Sequence, residues 1–99
     1  MSAVAITEAS RPALPRHVRL QRDEARQRWV IQAPERVLAP DDLAASIIAM
    51  LDGVTRLSAI IDRLAEDYQA ERTVIAADVL AMLQDLADQG FLVDHGEEA

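Results

Sequence analysis

The chain has no cysteine, which excludes disulfides, thiolate zinc sites, cysteine-ligated iron–sulfur clusters and a cysteine nucleophile. It has no lysine either, so all ten basic side chains are arginine. Imidazole is confined to His17 and His95, at opposite ends of the chain. The three glycines, Gly53, Gly90 and Gly96, are too scattered to cradle a phosphate. There is one Trp, one Tyr and one Phe, so aromatic area is scarce. No apolar run approaches the roughly 20 residues needed to span a bilayer. The opening Met1-Ser2-Ala3-Val4-Ala5-Ile6 lacks the basic and apolar regions of a signal peptide. A soluble cytoplasmic protein is the expectation.

What is present reads as one small domain. Ninety-nine residues, 51% apolar and 27% charged, have ordinary globular composition. The net charge of −7 is unevenly spread. Residues 1–36 carry seven Arg against four acids, whereas residues 37–99 carry three Arg against thirteen. Halves of opposite sign attract each other within a fold or recruit partners of different charge.

Residues 1–15 read as a flexible N-terminal tail, because no period persists and Pro12 and Pro15 interrupt regular structure. From His17 the pattern alternates, with Val18 and Leu20 on one face, as in a half-buried strand. Arg28-Trp29-Val30-Ile31-Gln32 predicts a second strand, with Trp29 expected to be buried against the helices. Pro34-Glu35 suits a turn, and Arg36-Val37-Leu38 a short third strand ended by Pro40. Everything after Pro40 is helical. Asp41 caps a helix with Leu43, Ile47, Met50 and Leu51 on one face, stopped at Asp52-Gly53. A second helix presents Leu57, Ile60, Ile61, Leu64 and Tyr68. A third runs from Thr73 to Gln89 with Ile75, Val79, Met82, Leu83 and Leu86 in its stripe, and Gly90 terminates it. Phe91-Leu92-Val93 adds a short extended segment, and residues 94–99 form a solvated end. The expected fold is α+β and winged-helix-like: a three-stranded antiparallel β-meander followed by three helices, over residues 16–93.

This architecture raises DNA binding, yet the third helix has no Lys or Arg between Thr73 and Gln89 and exposes Asp78, Asp85 and Asp88. Carboxylates facing a phosphate backbone oppose the counterion release that drives such binding. Catalysis lacks a constellation. Ser10, Ser46 and Ser58 have neither a nucleophile-elbow context nor a neighbouring His. Asp41 and Asp42 suit a cap, and Asp85 with Asp88 could share a cation but are as readily a solvated face. His17 has no second ligand beside it, so neither a metal nor a cofactor is expected. What remains is a partner surface. Ala76 and Leu80, with part of Val79 and Leu83, either complete the packing of the third helix or floor a groove. Arg36-Val37-Leu38 would be the adjoining sheet edge, able to accept an extended peptide as a fourth strand.

Two stretches, Arg11-Pro12-Ala13-Leu14-Pro15-Arg16-His17-Val18-Arg19-Leu20 and Arg28-Trp29-Val30-Ile31-Gln32-Ala33-Pro34-Glu35-Arg36-Val37-Leu38, resemble the pyrroloquinoline quinone biosynthesis protein D (PqqD) family. Asp52-Gly53, the Ile60-to-Ala65 stretch with Tyr68, and Asp78-Val79-Leu80 with Leu83 and Leu86 fit it too, so the resemblance spans about residues 11–93. It implies a non-catalytic peptide chaperone with a winged-helix-like fold. Such a protein binds the ribosomal precursor peptide of the cofactor and presents it to a radical S-adenosylmethionine enzyme. It also implies a peptide lying between the third strand and the third helix. Carried over, contacts fall on Arg36, Val37 and Leu38 and on Val79, Leu80 and Leu83; Ala76 is added from the helical wheel. The alternatives are a winged-helix DNA-binding regulator and a plain dimerisation module. A homodimer is compatible with the first reading, nucleic acid and membrane are not.

Overall fold

A computed structural model describes residues 4–96. Strands β2 (Arg19–Asp23), β3 (Arg28–Ala33) and β4 (Arg36–Leu38) form an antiparallel meander in the order β2-β3-β4. Helices α1 (Asp42–Ile48), α2 (Leu57–Tyr68) and α3 (Arg72–Asp88) follow. This is the α+β order that the patterning predicts. One pairing was not foreseen: β1 (Pro12–Ala13) runs antiparallel to β5 (Val93–Asp94) as a separate two-stranded ribbon.

The meander is shaped by its turns. Pro34 fixes φ at the second turn position, and Glu35 takes a positive φ of 66°, as the third position of a type II turn requires. The inner face carries Val18, Ile31 and Leu38 toward the helices. Trp29 does not join them. It is only half-buried and lies outside the core cluster, with the Arg22 guanidinium 5.5 Å from its ring centroid. Trp29 pairs with Arg22 near the 24–27 turn, past the residues of β3 that pair with β4.

The helices start and stop for local reasons. The Asp41 carboxylate accepts the Ala44 N–H at 2.8 Å, capping α1 as expected. Helix α1 ends earlier than predicted, at Ile48, four residues before Asp52. Gly53 still has a positive φ of 76°, but packing is the reason: a Cβ there would stand 2.9 Å from the His95 ring and 3.3 Å from the Ala13 Cβ. Helix α3 ends in a Schellman motif. Gly90, at φ 86°, donates to the Ala87 carbonyl, and Phe91 N–H reaches the Leu86 carbonyl at 2.9 Å. Leu57, Ile60, Ile61, Leu64, Val79, Leu83 and Leu86 fill the core with Phe91 and Leu92. Two predicted core positions are outside it: Leu43 is 52% exposed and Tyr68 57%.

The N-terminal segment is not a tail over its described part. Ile6 and Pro12 are buried, and so is Ser10. Helix α2 has no side-chain cap; its first amides, Leu57 and Ser58, donate to the carbonyls of Ser10 (2.8 Å) and Glu8 (2.9 Å). The segment thus satisfies amides that α2 would otherwise leave orphaned. Gln84 on α3 grips it from the other side, accepting from Ile6 N–H at 2.8 Å and donating to the Val4 carbonyl at 2.7 Å. Arg72, the first residue of α3, bridges Glu8 and Asp62. The expected solvated end is likewise held over residues 94–96: Asp94 accepts the N–H groups of Arg11 (2.9 Å) and Gly96 (2.7 Å). Sequence patterning missed this because the partners lie more than 40 residues away and the segment has no period of its own. The expectations for residues 1–3 and 97–99 lie outside the described residues.

Candidate functional site

Strand β4 is an edge strand. Its register with β3 is Ala33↔Arg36, Gln32↔Val37 and Ile31↔Leu38. In a two-residue hairpin the pair flanking the turn exchanges hydrogen bonds, and pairs then alternate. Arg36 and Leu38 therefore bond to β3, and Val37 directs its N–H and C=O to the open edge. The side chains alternate the other way. Val37 faces solvent, 56% exposed, whereas Leu38 turns inward against the core.

Between β4 and α3 lies a groove of about 300 Å³. Leu38 and Pro40 form one wall, Ala44 and Ile48 of α1 the floor, and Met82, Asp85, Leu86 and Gln89 the α3 wall. Arg36 closes one end: its guanidinium lies over the Phe91 ring, 4.4 Å from the centroid, and donates to the Gln89 carbonyl. The Asp85 carboxylate accepts from the Gln89 amide at 3.1 Å, and apart from Arg36 at its end the groove has no cationic side chain in its lining.

Arg36, Val37 and Leu38 lie on the edge strand, whereas none of Ala76, Val79, Leu80 and Leu83 lines the groove beside it. Ala76, Val79 and Leu83 are buried, with 8%, 4% and 0% of their surface exposed, although Val79 lines a neighbouring depression between the three helices. Leu80 is half-buried and packs on the core. It stands one turn before Gln84, on the face that the N-terminal segment covers. The face toward β4 carries Met82, Asp85, Leu86 and Gln89, at i, i+3, i+4 and i+7. That spacing was readable, but two of its members were already counted in the core stripe. The packing of Ala76, Val79 and Leu83 into the core and the contact of Arg36 with the end of α3 turn this face to β4. Asp78 and Asp85 are exposed on this side and Asp88 is exposed beside Gln84, and from Thr73 to Asp88 the helix carries no basic side chain to meet a phosphate backbone.

The family model for "Coenzyme PQQ synthesis protein D (PqqD)" matches residues 28–92, from the second strand of the meander through the core residue Leu92. The chain belongs to the PqqD family. Among its relatives, a protein named "PqqA binding protein" from Rhodopseudomonas palustris (strain BisB5) is 62% identical over 96 residues, covering 97% of this chain and 94% of the relative. A protein of the same name from Xanthomonas axonopodis pv. citri is 42% identical over 87 residues, covering 88% and 95%. The solution structure of the PqqD portion of Methylobacterium extorquens PqqCD, described as a functional, stand-alone RiPP recognition element, superposes with a TM-score of 0.77 at 39% identity, covering 90% of this chain and 95% of that one. The crystal structure of PqqD from Xanthomonas campestris gives 0.54, also at 39% identity, covering 86% and 94%. The PqqD-family fold seen in those structures is the fold of this chain.

Proposed function

We propose that this PqqD-family protein is a non-catalytic peptide chaperone that binds PqqA, the precursor peptide of pyrroloquinoline quinone, by strand addition to β4. It then presents that peptide to the radical S-adenosylmethionine enzyme of the pathway, in the cytoplasm. The observation that carries this reading is the open edge at Val37 beside a mostly apolar groove whose lining, apart from Arg36 at its end, holds no cation and no nucleophile. Main-chain pairing supplies affinity, and the groove selects alternate side chains. On β4, Arg36, Val37 and Leu38 would make the contacts; on α3, Met82, Asp85, Leu86 and Gln89 line the adjoining groove and join the helix residues expected from sequence as candidates. No described helix is long and apolar enough to cross a membrane.

Titration of isotope-labelled protein with PqqA tests this directly. Amide shifts should concentrate in residues 36–38 and 82–89, with little change on the outer sheet face around Arg19 and Arg28. Affinity should fall only modestly with added salt, unlike duplex DNA binding, which falls steeply as counterions compete. Shifts centred on the Arg-rich hairpin, with a steep salt slope, would favour a nucleic-acid partner and defeat the proposal.

A further inference from the structure

A second depression, of about 350 Å³, lies where α1, α2 and α3 meet. Leu43, Tyr68, Ile75, Val79 and Met82 are among the residues that line it, with the carboxyl-bearing Asp41 and Asp78. Ala44 and Met82 line this depression and the β4 groove alike, so the two form one trough along α3. Leu43 and Tyr68 are more than half exposed there, although their spacing puts them on the apolar stripes of α1 and α2. Contiguous exposed apolar surface of this kind marks a binding face. The trough is also electrostatically one-sided. It includes Asp41, Asp78 and Asp85 and, apart from Arg36 at its end, no arginine, and neither Asp78 nor Asp85 forms an ion pair among the described residues.

We propose that this trough receives the continuation of the peptide bound at β4. Beyond the residues added to the strand, it sets a bulky apolar side chain among Leu43, Tyr68 and Ile75. A neighbouring Lys or Arg faces Asp78. This rests on strand addition at β4. Chain continuity supplies the direction: β4 runs through Ala39-Pro40 straight into Asp41 and Leu43, so a strand lying along β4 reaches the trough at its far end. An extended chain points every second side chain to one side, which suits a single apolar anchor followed by a charge at the rim. A second copy of this protein is a poorer occupant. A two-fold contact through this face would set Asp41 and Asp78 of one copy against those of the other.

The test uses fluorescein-labelled PqqA and anisotropy with the full chain. The double variant Leu43→Ser/Tyr68→Ser alters two exposed side chains, so it should melt close to wild type and bind PqqA about tenfold more weakly. Replacing the apolar anchor of PqqA by Ala should then weaken binding to wild type but not to the double variant. Asp78→Asn, a change at an exposed position, should reduce the salt dependence of binding. A double variant that binds like wild type, while Val37→Pro does not bind, overturns the trough and leaves strand addition standing. A wild-type protein that does not bind PqqA overturns both. A wild-type dimer in light scattering that the double variant converts to monomer assigns the trough to a second copy and overturns the inference.

Discussion

The Arg36 guanidinium stacks on the Phe91 ring, 4.4 Å from its centroid, and so joins the edge strand to the residue that closes α3. Phe91 is itself fixed, fully buried and held by the Leu86 carbonyl. The contact ties β4 to the end of α3, with the Gln89 carbonyl as a second anchor for the same guanidinium. A planar cation can stack and donate at once, which an ammonium does less well.

Arg36→Ala should release this clamp. A cation–π contact at an exposed site is worth about 0.5–1 kcal/mol, and with the hydrogen bond the loss should be on the order of 1–2 kcal/mol. PqqA binding should weaken as well, and Arg36→Lys should recover part of both. Thermal melts and a PqqA titration of the two variants check this; an Arg36→Ala protein equal to wild type in both would show that the clamp is ornamental.

Proline scanning separates the two sides of β4. Val37→Pro removes an N–H that faces the open edge, so the domain should stay folded and PqqA binding should be lost. Leu38→Pro removes an N–H bonded to β3 and should destabilise the domain by about 3 kcal/mol. If the two variants behave the other way round, the register is shifted by one residue.

The aromatic residues should rank by burial rather than size. Phe91→Ala should cost about 3–5 kcal/mol, because the ring is fully buried. Trp29→Ala should cost less than about 1.5 kcal/mol, because the ring is only half-buried and lies outside the core cluster. Urea denaturation of both variants gives the comparison.

Removing residues 1–10 should destabilise the protein severely. It deletes Ile6 from the core, the two carbonyls that cap α2, and the Glu8 partner of Arg72. At about 2–3 kcal/mol, the melting temperature should drop on the order of 10–20 °C. A truncated protein melting with wild type would return the segment to the status of a tail.

Acid should unfold the protein through a few identifiable carboxylates. Burial pushes the Asp94 carboxyl up, but the N–H donors of Arg11 and Gly96 outweigh it and leave it below its ordinary value. The hydrogen bond from Arg72 lowers Glu8, and the N–H groups of Thr55 and Val54 lower Asp52. A carboxyl whose folded value lies below its unfolded one contributes stability above the unfolded value, about 4, and loses it as pH falls through the folded value. The melting temperature should therefore decline below about pH 4, and Asp94→Asn should shrink that decline. A variant with an unchanged acid limb would remove Asp94 from the account.

Local chemistry was legible in the sequence wherever it is settled by near neighbours. The alternation of Val18 and Leu20, the Pro34-Glu35 turn, the Asp41 cap and the Gly90 stop each depend on residues within a few positions, and each is found where patterning puts it. The Arg-Trp-Val to Arg-Val-Leu stretch also marked the family, and with it the sheet edge at Arg36, Val37 and Leu38. Helical spacing showed that α3 has apolar surface, but not which side meets β4, because its stripe is wide enough to face two neighbours at once.

Tertiary structure alone chose between those sides. Ala76, Val79 and Leu83 were drawn into the core, Leu80 went to the face that the N-terminal segment covers, and Met82, Asp85, Leu86 and Gln89 were left beside the edge strand. Burial of Ala76, Val79, Leu83 and Ala87 orients the helix, and Arg36 fastens the strand to its end by stacking on Phe91, a contact between residues 55 positions apart in the chain. The same distance hid the role of the N-terminal segment, whose Ile6, Ser10 and Pro12 have no periodicity to betray them and are ordered only by α2, α3 and β5. Sequence by itself determined the three-stranded meander, the three helices and their order, because those follow from short-range sterics and periodicity. Which surfaces those elements turn toward one another depends on long-range packing, and only the folded chain decided it.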